Sequence, residues 1–183
     1  MGILIAAVVL VGILGLFNLL LTAGVVRRLR EHAELISNKS SGDGHGVDAD
    51  VLAPGETAEP FAAESVTGRQ IALTDLVQGS VVAFFSPHCQ PCKERAPEFA
   101  AYAAGRPAGA EPTVAVVVAS AAEAAEMTEL LSPVAEVVTG AAAERVAAAF
   151  RTESYPSFYV MGATGTVSAG GHNLSVLPVA AAA

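Results

Sequence analysis

Two cysteines separated by two residues are the most specific chemical signal in this 183-residue chain. They are Cys89 and Cys92, with Gln90 and Pro91 between them. In the first turn of a helix this spacing brings both sulfurs within bonding distance, and the helix N-terminus stabilises a thiolate on the first cysteine. Cys89 is therefore predicted to be the attacking thiol, and Cys92 the more buried resolving thiol that releases a mixed disulfide. His88 and Lys93 would add positive potential nearby.

Two other interpretations of the cysteine pair are weaker. A zinc site normally needs four protein ligands, or three and a water molecule, and the chain has no second cysteine pair and only four histidines. An inert structural disulfide would add little stability, because the entropic gain is small for so short a loop. We therefore predict a redox-active pair, with no metal and no cofactor.

A second candidate element is the dipeptide Tyr155-Pro156, directly before the apolar segment 157–161. A proline at the start of a strand removes no ladder hydrogen bond. The functional interpretation is a cis peptide that brings the Tyr155 backbone against the cysteine pair, although most peptide bonds before proline are trans. Tyr155 and Pro156 are the predicted substrate-binding residues. His172, beyond the last predicted strand, is predicted to be a surface loop residue rather than a ligand or a base.

The elements that must position these residues alternate between strands and helices. The apolar run Val81–Phe85 is typical of a central strand buried on both faces. The other predicted elements are strands over 113–119 and 134–138, helices over 89–104, 121–131 and 141–150, and a hairpin over 157–161 and 166–168. Strands that alternate with helices imply right-handed crossovers in a partly parallel sheet. The predicted fold class is an α/β sandwich closed by a β-hairpin.

The N-terminal segment is predicted to be a membrane helix. Residues 2–26 carry no charge and are almost entirely aliphatic. At about 1.5 Å per residue they span roughly 37 Å, enough to cross a hydrocarbon core of about 30 Å. A cleavable signal peptide would need basic residues before a shorter apolar core. We predict an uncleaved anchor over residues 1–30, a linker over 31–50 and a globular domain over 51–183.

The composition excludes several classes of protein. Hydrophobic residues make up 52% of the chain and charged residues 15%, which is unlike a disordered polyelectrolyte. The net charge of -8 does not supply the basic surface that nucleic-acid binding needs. Two cysteines are too few for a disulfide-dense secreted scaffold. We therefore expect no nucleic-acid partner.

The sequence resembles the thioredoxin superfamily, and within it the membrane-anchored TlpA-like and MauD-like disulfide oxidoreductases. Residues 86–93, Ser-Pro-His-Cys-Gln-Pro-Cys-Lys, are similar to the Ser-Pro-x-Cys-x-x-Cys-Lys motif of MauD proteins. Segments 54–61 and 67–73 are similar to the N-terminal extension of that group. The resemblance extends over residues 51–168. The sequence differs from the family pattern at His88, where tryptophan is common in the family, and at Gly162, where aspartate is common.

The resemblance implies a thioredoxin-like fold with a central mixed sheet, disulfide exchange with client proteins through Cys89 and Cys92, and a cis proline at Pro156. The family usually has a closing amphipathic helix, which here would be short or absent after residue 168. An N-terminal anchor is also usual in the family.

The resemblance suggests that the domain lies outside the cytoplasm. Disulfides are made in that compartment, and the domain would need an electron donor in the membrane there. Arg27, Arg28 and Arg30 argue for the cytoplasmic side, because positive charge beside a membrane helix tends to remain there. We expect a single-pass protein of the cell membrane with its domain outside the cytoplasm.

Two other functions could use the same cysteines. A peroxiredoxin-like thiol antioxidant of the AhpC/TSA type shares the fold, and its Pro-x-x-x-Thr/Ser-x-x-Cys pattern is half met. Ser86 stands three residues before Cys89, but Val82 replaces the proline. A non-enzymatic copper chaperone could combine Cys89, Cys92 and a distal His172, because soft thiolates select Cu(I). The thiol-disulfide oxidoreductase is the preferred interpretation.

Overall fold

The computed structural model describes residues 51–178 together with Met1, Gly2, Leu10 and Gly12. The chain divides into two compact units, Met1–Gly46 and Val47–Ala183, and the fold described below belongs to the second. The predicted membrane helix and linker lie outside the described residues, apart from those four positions. None of the helices in the described part of the chain is long and apolar enough to span a membrane.

The described part of the chain alternates strands and helices. In chain order the elements are β1 (Ala62–Glu64), β2 (Gln70–Ala72), β3 (Val81–Phe85), α1 (Gln90–Ala104), β4 (Thr113–Val117), α2 (Ala125–Leu131), β5 (Glu136–Val138), α3 (Gly140–Ala149), β6 (Ser157–Met161) and β7 (Val167–Gly171). Short 3₁₀ turns lie at Leu73–Asp75, Ala163–Gly165 and Leu174–Val176.

Strand β3 is the central strand of a five-stranded sheet with the order β5-β4-β3-β6-β7. It pairs in parallel with β4, which pairs in parallel with β5. On its other side β3 pairs antiparallel with β6, which pairs antiparallel with β7. Parallel neighbours need a crossover, and α1 and α2 supply the two crossovers. The predicted α/β sandwich with a mixed central sheet and a closing hairpin is therefore confirmed.

The side chains of β3 contribute to two apolar layers, because successive residues of a strand point to opposite faces. Val82 and Phe84 pack in the layer that contains α3 and the β1–β2 pair. Val81, Ala83 and Phe85 pack in the layer that contains α1 and α2. All five side chains are fully buried, which explains why the run is apolar without alternation.

Several element boundaries differ from the predicted ones. Helix α2 begins at Ala125, four residues later than predicted, because residues 121–124 form a turn. Strand β4 ends at Val117, two residues early, and β7 continues to Gly171, three residues beyond the predicted end. The antiparallel β1–β2 pair was not predicted.

The close approach of another segment to Gly170 explains why β7 has a glycine at this position. A Cβ atom on this residue would lie 2.9 Å from Cγ1 of Val51 and 3.0 Å from the carbonyl oxygen of Leu52. The first described segment of the domain thus passes so close to β7 that only glycine fits there without displacement. Between β7 and residue 178, where the described part of the domain ends, the structure has the turn Leu174–Val176 and no α-helix, and Leu177 is buried in the layer of α1.

Replacing Phe150 tests the layer beneath α3. Its fully buried ring lies 5.1 Å from the ring of Tyr159 and 5.3 Å from that of Phe84, centroid to centroid. Phe150→Ala should lower the free energy of unfolding by about 3–5 kcal/mol, because it removes packed apolar area and leaves a cavity. Val77→Ala, at a side chain 46% exposed, is the control and should cost about 0.5 kcal/mol or less. Urea unfolding of both variants makes the comparison, and similar losses would contradict this packing.

Candidate active site

The cysteine pair lies at the junction between β3 and α1. Cys89 is the N-cap residue of α1, with an extended backbone at φ -101° and ψ 117°. Cys92 follows in the first helical turn. Pro91 stands at the second helical position, where a backbone nitrogen needs no partner within the helix. The structure thus places both cysteines at the end of a buried strand and the start of a helix, as the sequence predicts.

The sulfur of Cys89 takes part in two hydrogen bonds. Its thiol donates to the backbone carbonyl of Tyr155, with 3.3 Å between Sγ and the oxygen. The same sulfur accepts a hydrogen bond from the backbone N–H of Cys92, also at 3.3 Å. Amide groups at a helix N-terminus favour negative charge beside them. Cys89 is partly exposed, so it is the cysteine of the pair that a large molecule can reach.

Cys92 lies in a different environment. Its side chain is fully buried, and both thiols are in the reduced, unpaired form. Burial, and to a smaller extent the hydrogen bond with the Cys89 side chain, raises the pKa of the Cys92 thiol to about 12. Cys92 therefore remains a protonated thiol at neutral pH. The two cysteines differ in accessibility in the sense that the sequence predicts for an attacking and a resolving thiol.

The loop before β6 completes the site. The peptide bond between Tyr155 and Pro156 is cis, as the family resemblance implies. Pro156 is buried and Tyr155 is half-buried, with its carbonyl oxygen on the Cys89 thiol. Burial raises the pKa of the Tyr155 hydroxyl, and the nearby Cys92 adds to that effect. The structure brings the four predicted site residues together, and their functional roles stay predictions.

His88 interacts with the segment before α2. Its Nε2 atom lies 3.3 Å from Oε1 of Glu123, and both side chains are largely exposed. Hydrogen bonds from Ser120 hold the pKa of the Glu123 carboxyl below its usual value, and His88 contributes less. The sequence predicts positive potential from His88 but gives no indication of this partner, which lies 35 residues further along the chain.

His172 contacts the loop before β6, and this contact was not predicted from the sequence. Its Nδ1 atom lies 2.8 Å from the carbonyl oxygen of Pro156 and 3.1 Å from the hydroxyl oxygen of Ser157. The side chain is half-buried, so the prediction of a surface loop residue must be corrected. No local pattern could reveal this contact, because its partners lie across the β6–β7 hairpin.

The metal-binding alternative gains no support from the described residues. Among residues 51–178 and the four described positions before them, no three or more His, Cys, Asp or Glu side chains are grouped so as to hold a metal ion. His172, the distal ligand considered for copper, has its Nδ1 atom on the Pro156 carbonyl.

An open groove of about 390 Å³ lies beside the cysteine pair, between α1 and α2. Its surface is mostly apolar, with an exposed leucine, two glutamates and a lysine. The lining residues are Pro87, Lys93, Ala96, Pro97, Glu126, Met127, Glu129 and Leu130. The groove borders the cysteine motif on both sides, at Pro87 and Lys93.

Comparison with solved structures identifies the fold. A thio-disulfide isomerase from Thermus thermophilus matches with a TM-score of 0.56 and 20% identity, over 67% of this chain and 87% of that chain. The thioredoxin domain of a thiol-disulfide oxidoreductase from Bacteroides vulgatus matches with a TM-score of 0.58 and 15% identity, over 69% and 93%. A secreted disulfide oxidoreductase from Mycobacterium tuberculosis, homologous to DsbE of E. coli, matches with a TM-score of 0.51 and 23% identity, over 67% and 87%.

These similarities show that the described domain has a thioredoxin-like fold. Neither the comparison with protein-family models nor the comparison with curated proteins found a match.

Selective alkylation tests the difference between the two thiols. Iodoacetamide at pH 8 should modify Cys89 and leave Cys92 unmodified, because Cys92 is fully buried and its pKa is about 12. Mass spectrometry of proteolytic peptides locates the adducts. In denaturant, both cysteines of the same protein should react. Equal modification of both cysteines in the folded protein would contradict the arrangement.

Proposed function

We propose that this chain is a thiol-disulfide oxidoreductase that exchanges disulfides with client proteins through Cys89 and Cys92. The observation that carries the proposal is the position of the Cys89 sulfur. It caps α1, is accessible, and lies 3.3 Å from the Tyr155 carbonyl, while the buried Cys92 follows three residues later. The three structural neighbours are described as disulfide isomerases or oxidoreductases, and we extend that activity to this chain.

In the first step, the thiolate of Cys89 attacks one sulfur of a client disulfide. A bond forms between Cys89 and that sulfur, the client S–S bond breaks, and the second client sulfur leaves as a thiolate that takes up a proton. The N–H of Cys92 donates to the Cys89 sulfur, which favours the negative charge needed for attack. The product is a mixed disulfide between Cys89 and the client.

In the second step, Cys92 loses its proton and attacks the Cys89 sulfur. The Cys89–Cys92 bond forms, the mixed disulfide breaks, and the client sulfur that was bound to Cys89 leaves as a thiolate that takes up a proton. The client gains two electrons and two protons, and the cysteine pair loses the same number. A reducing partner must then return two electrons to the pair. The reaction also runs in reverse, and the relative reduction potentials of the pair and the client decide its direction.

The loop before β6 is proposed to hold the client. Extended peptides bind to exposed main-chain groups, which supply hydrogen bonds independent of the client sequence. Tyr155 presents its main chain directly beside Cys89, so a client segment lying along residues 155–156 would bring its disulfide to the attacking sulfur. The apolar groove at Pro87, Met127 and Leu130 offers a neighbouring surface for client side chains.

The proposal extends to a TlpA-like or MauD-like subtype anchored in the cell membrane. The uncharged segment 2–26 is long enough to cross a bilayer, and the motif at residues 86–93 is similar to that of MauD proteins. We propose that the domain lies outside the cytoplasm and that an electron donor in the membrane reduces the pair. These statements rest on sequence features and on the resemblance.

Single cysteine replacements test the two-step reaction. Cys89→Ser should abolish exchange with a disulfide-bonded client, because the attacking sulfur is lost. Cys92→Ser should accumulate the mixed disulfide, because the sulfur that resolves it is absent. Non-reducing gel electrophoresis detects the covalent complex, and insulin reduction measures turnover. Wild-type activity in both variants would refute the mechanism.

Reporter fusions test the proposed orientation. Alkaline phosphatase, which needs disulfides, should be active when fused after residue 178, and green fluorescent protein in its usual form should not fluoresce there when exported through the general secretion pathway. Replacement of Arg27, Arg28 and Arg30 together by glutamine should leave this result unchanged or strengthen it, because their charge opposes export. A fluorescent fusion without phosphatase activity would place the domain in the cytoplasm.

A further inference from the structure

His172, which follows β7, contacts the loop before β6. This is the loop whose Tyr155 carbonyl accepts the hydrogen bond from Cys89. Strand β6 begins at Ser157, one residue after the cis proline. Phe158 pairs with Gly171 in the antiparallel register of β6 and β7, so His172 is the residue that follows opposite Ser157. This register brings the imidazole to the Pro156 carbonyl, with 2.8 Å between Nδ1 and the oxygen.

The direction of the hydrogen bonds follows from the groups involved. A carbonyl oxygen only accepts, so Nδ1 of His172 must carry the proton that bonds to Pro156. The hydroxyl of Ser157 donates to the Ser154 carbonyl at 2.6 Å. Its oxygen is therefore placed to accept from the same Nδ1–H, at 3.1 Å.

Three consecutive carbonyl groups of the loop consequently have a side-chain donor. Ser154 accepts from Ser157, and Pro156 accepts from His172. Between them, Tyr155 accepts from the Cys89 thiol. The contact to the reacting sulfur is thus flanked on both sides by contacts that fix the peptide groups next to it.

The carbonyl of Pro156 is an effective point at which to fix the loop. The pyrrolidine ring restricts φ of Pro156, and β6 is held from Ser157 onward by pairing with β3 and β7. The torsion ψ of Pro156 is then the rotation that would swing Tyr155 relative to β6. A hydrogen bond to the Pro156 carbonyl oxygen determines that torsion directly.

We propose that His172 is a positioning residue for the exchange reaction, which acts by fixing the Pro156 carbonyl so that the Tyr155 main chain is aligned with Cys89 and with an extended client. This inference rests on the proposed function. The client that benefits is a polypeptide, because only a polypeptide uses the main-chain groups of the loop. A small disulfide reacts with Cys89 without needing the alignment of residues 155–156.

Asparagine distinguishes positioning from packing at this site. Its amide nitrogen is the same number of bonds from Cα as Nδ1 of histidine, so His172→Asn keeps a donor for the Pro156 carbonyl. His172→Phe keeps a ring and removes the donor. Ser168→Ala is the matched control. The Ser168 hydroxyl on β7 donates a hydrogen bond to the Val160 carbonyl on β6 at 2.9 Å, and this bond lies away from the loop before β6.

The experiment compares two disulfides that release the same leaving group. In full-length protein with the Cys92→Ser background, stopped-flow absorbance follows the release of 2-thiopyridone as Cys89 forms a mixed disulfide. One substrate is a peptide whose cysteine carries a 2-thiopyridyl group, and the other is 2,2′-dithiodipyridine. Circular dichroism confirms that each variant is folded, and His172→Ala replaces the phenylalanine variant if the latter does not fold.

We expect His172→Phe to lower the second-order rate constant with the peptide by about tenfold, the effect of one lost hydrogen bond. The rate constant with 2,2′-dithiodipyridine should stay within about twofold, as should both rate constants of Ser168→Ala. His172→Asn should restore the peptide rate constant to within about twofold of that with His172.

Four outcomes would overturn the inference. An unchanged peptide rate constant in His172→Phe would show that the contact does not position the loop. Equal losses with both disulfides, or no rescue by asparagine, would show a role in packing alone. If the protein with His172 intact reacts with neither disulfide, the proposed function itself fails, and this result is distinct from the other three.

Discussion

The burial of β3 on both faces constrains the position of the Cys89 sulfur. All five residues of Val81–Phe85 are enclosed by apolar layers, so the strand cannot shift or rotate without opening the core. The chain leaves this strand at Phe85 and starts α1 five residues later, with Cys89 as the cap. A short connection from an immobile strand leaves the sulfur little freedom. The packing of β3 between the two apolar layers thus determines the position of Cys89.

The pairing of β3 with β6 brings Tyr155 and Pro156 next to Cys89. Phe84 pairs with Ser157 in the antiparallel register, so the residues just before Ser157 approach the residues just after Phe84. Tyr155 lies two residues before Ser157, and Cys89 follows Phe84 by five residues. The hydrogen bond between the Cys89 thiol and the Tyr155 carbonyl is therefore a consequence of strand register. A slip of one residue would turn the β6 side chains to the opposite layers.

The parts of this arrangement that the sequence predicts are those encoded by local patterns. The continuous apolar runs of β3 and β6, the cysteine spacing and the proline before β6 each involve neighbouring residues. The β1–β2 pair escapes prediction because each strand has three residues, too few for a periodicity to be visible. The end of β7 escapes it because glycine disfavours strands, whereas packing against Val51 and Leu52 requires glycine there. The register between β6 and β7 places His172 beside its hydrogen-bond partners. The sequence of neither strand alone determines that register.

The environment of Cys92 determines which proton transfer the second step of the proposed exchange needs. Burial makes the largest contribution to the raised pKa of Cys92, and burial does not depend on whether Cys89 is a free thiol or is joined to a client. The nearby Tyr155 hydroxyl has its own pKa raised by burial, so it stays neutral and cannot serve as a base at neutral pH. The leaving client sulfur needs a proton at the same moment that Cys92 must lose one. In the proposed mechanism, transfer of a proton from the buried Cys92 thiol to the departing thiolate, directly or through water, would satisfy both requirements.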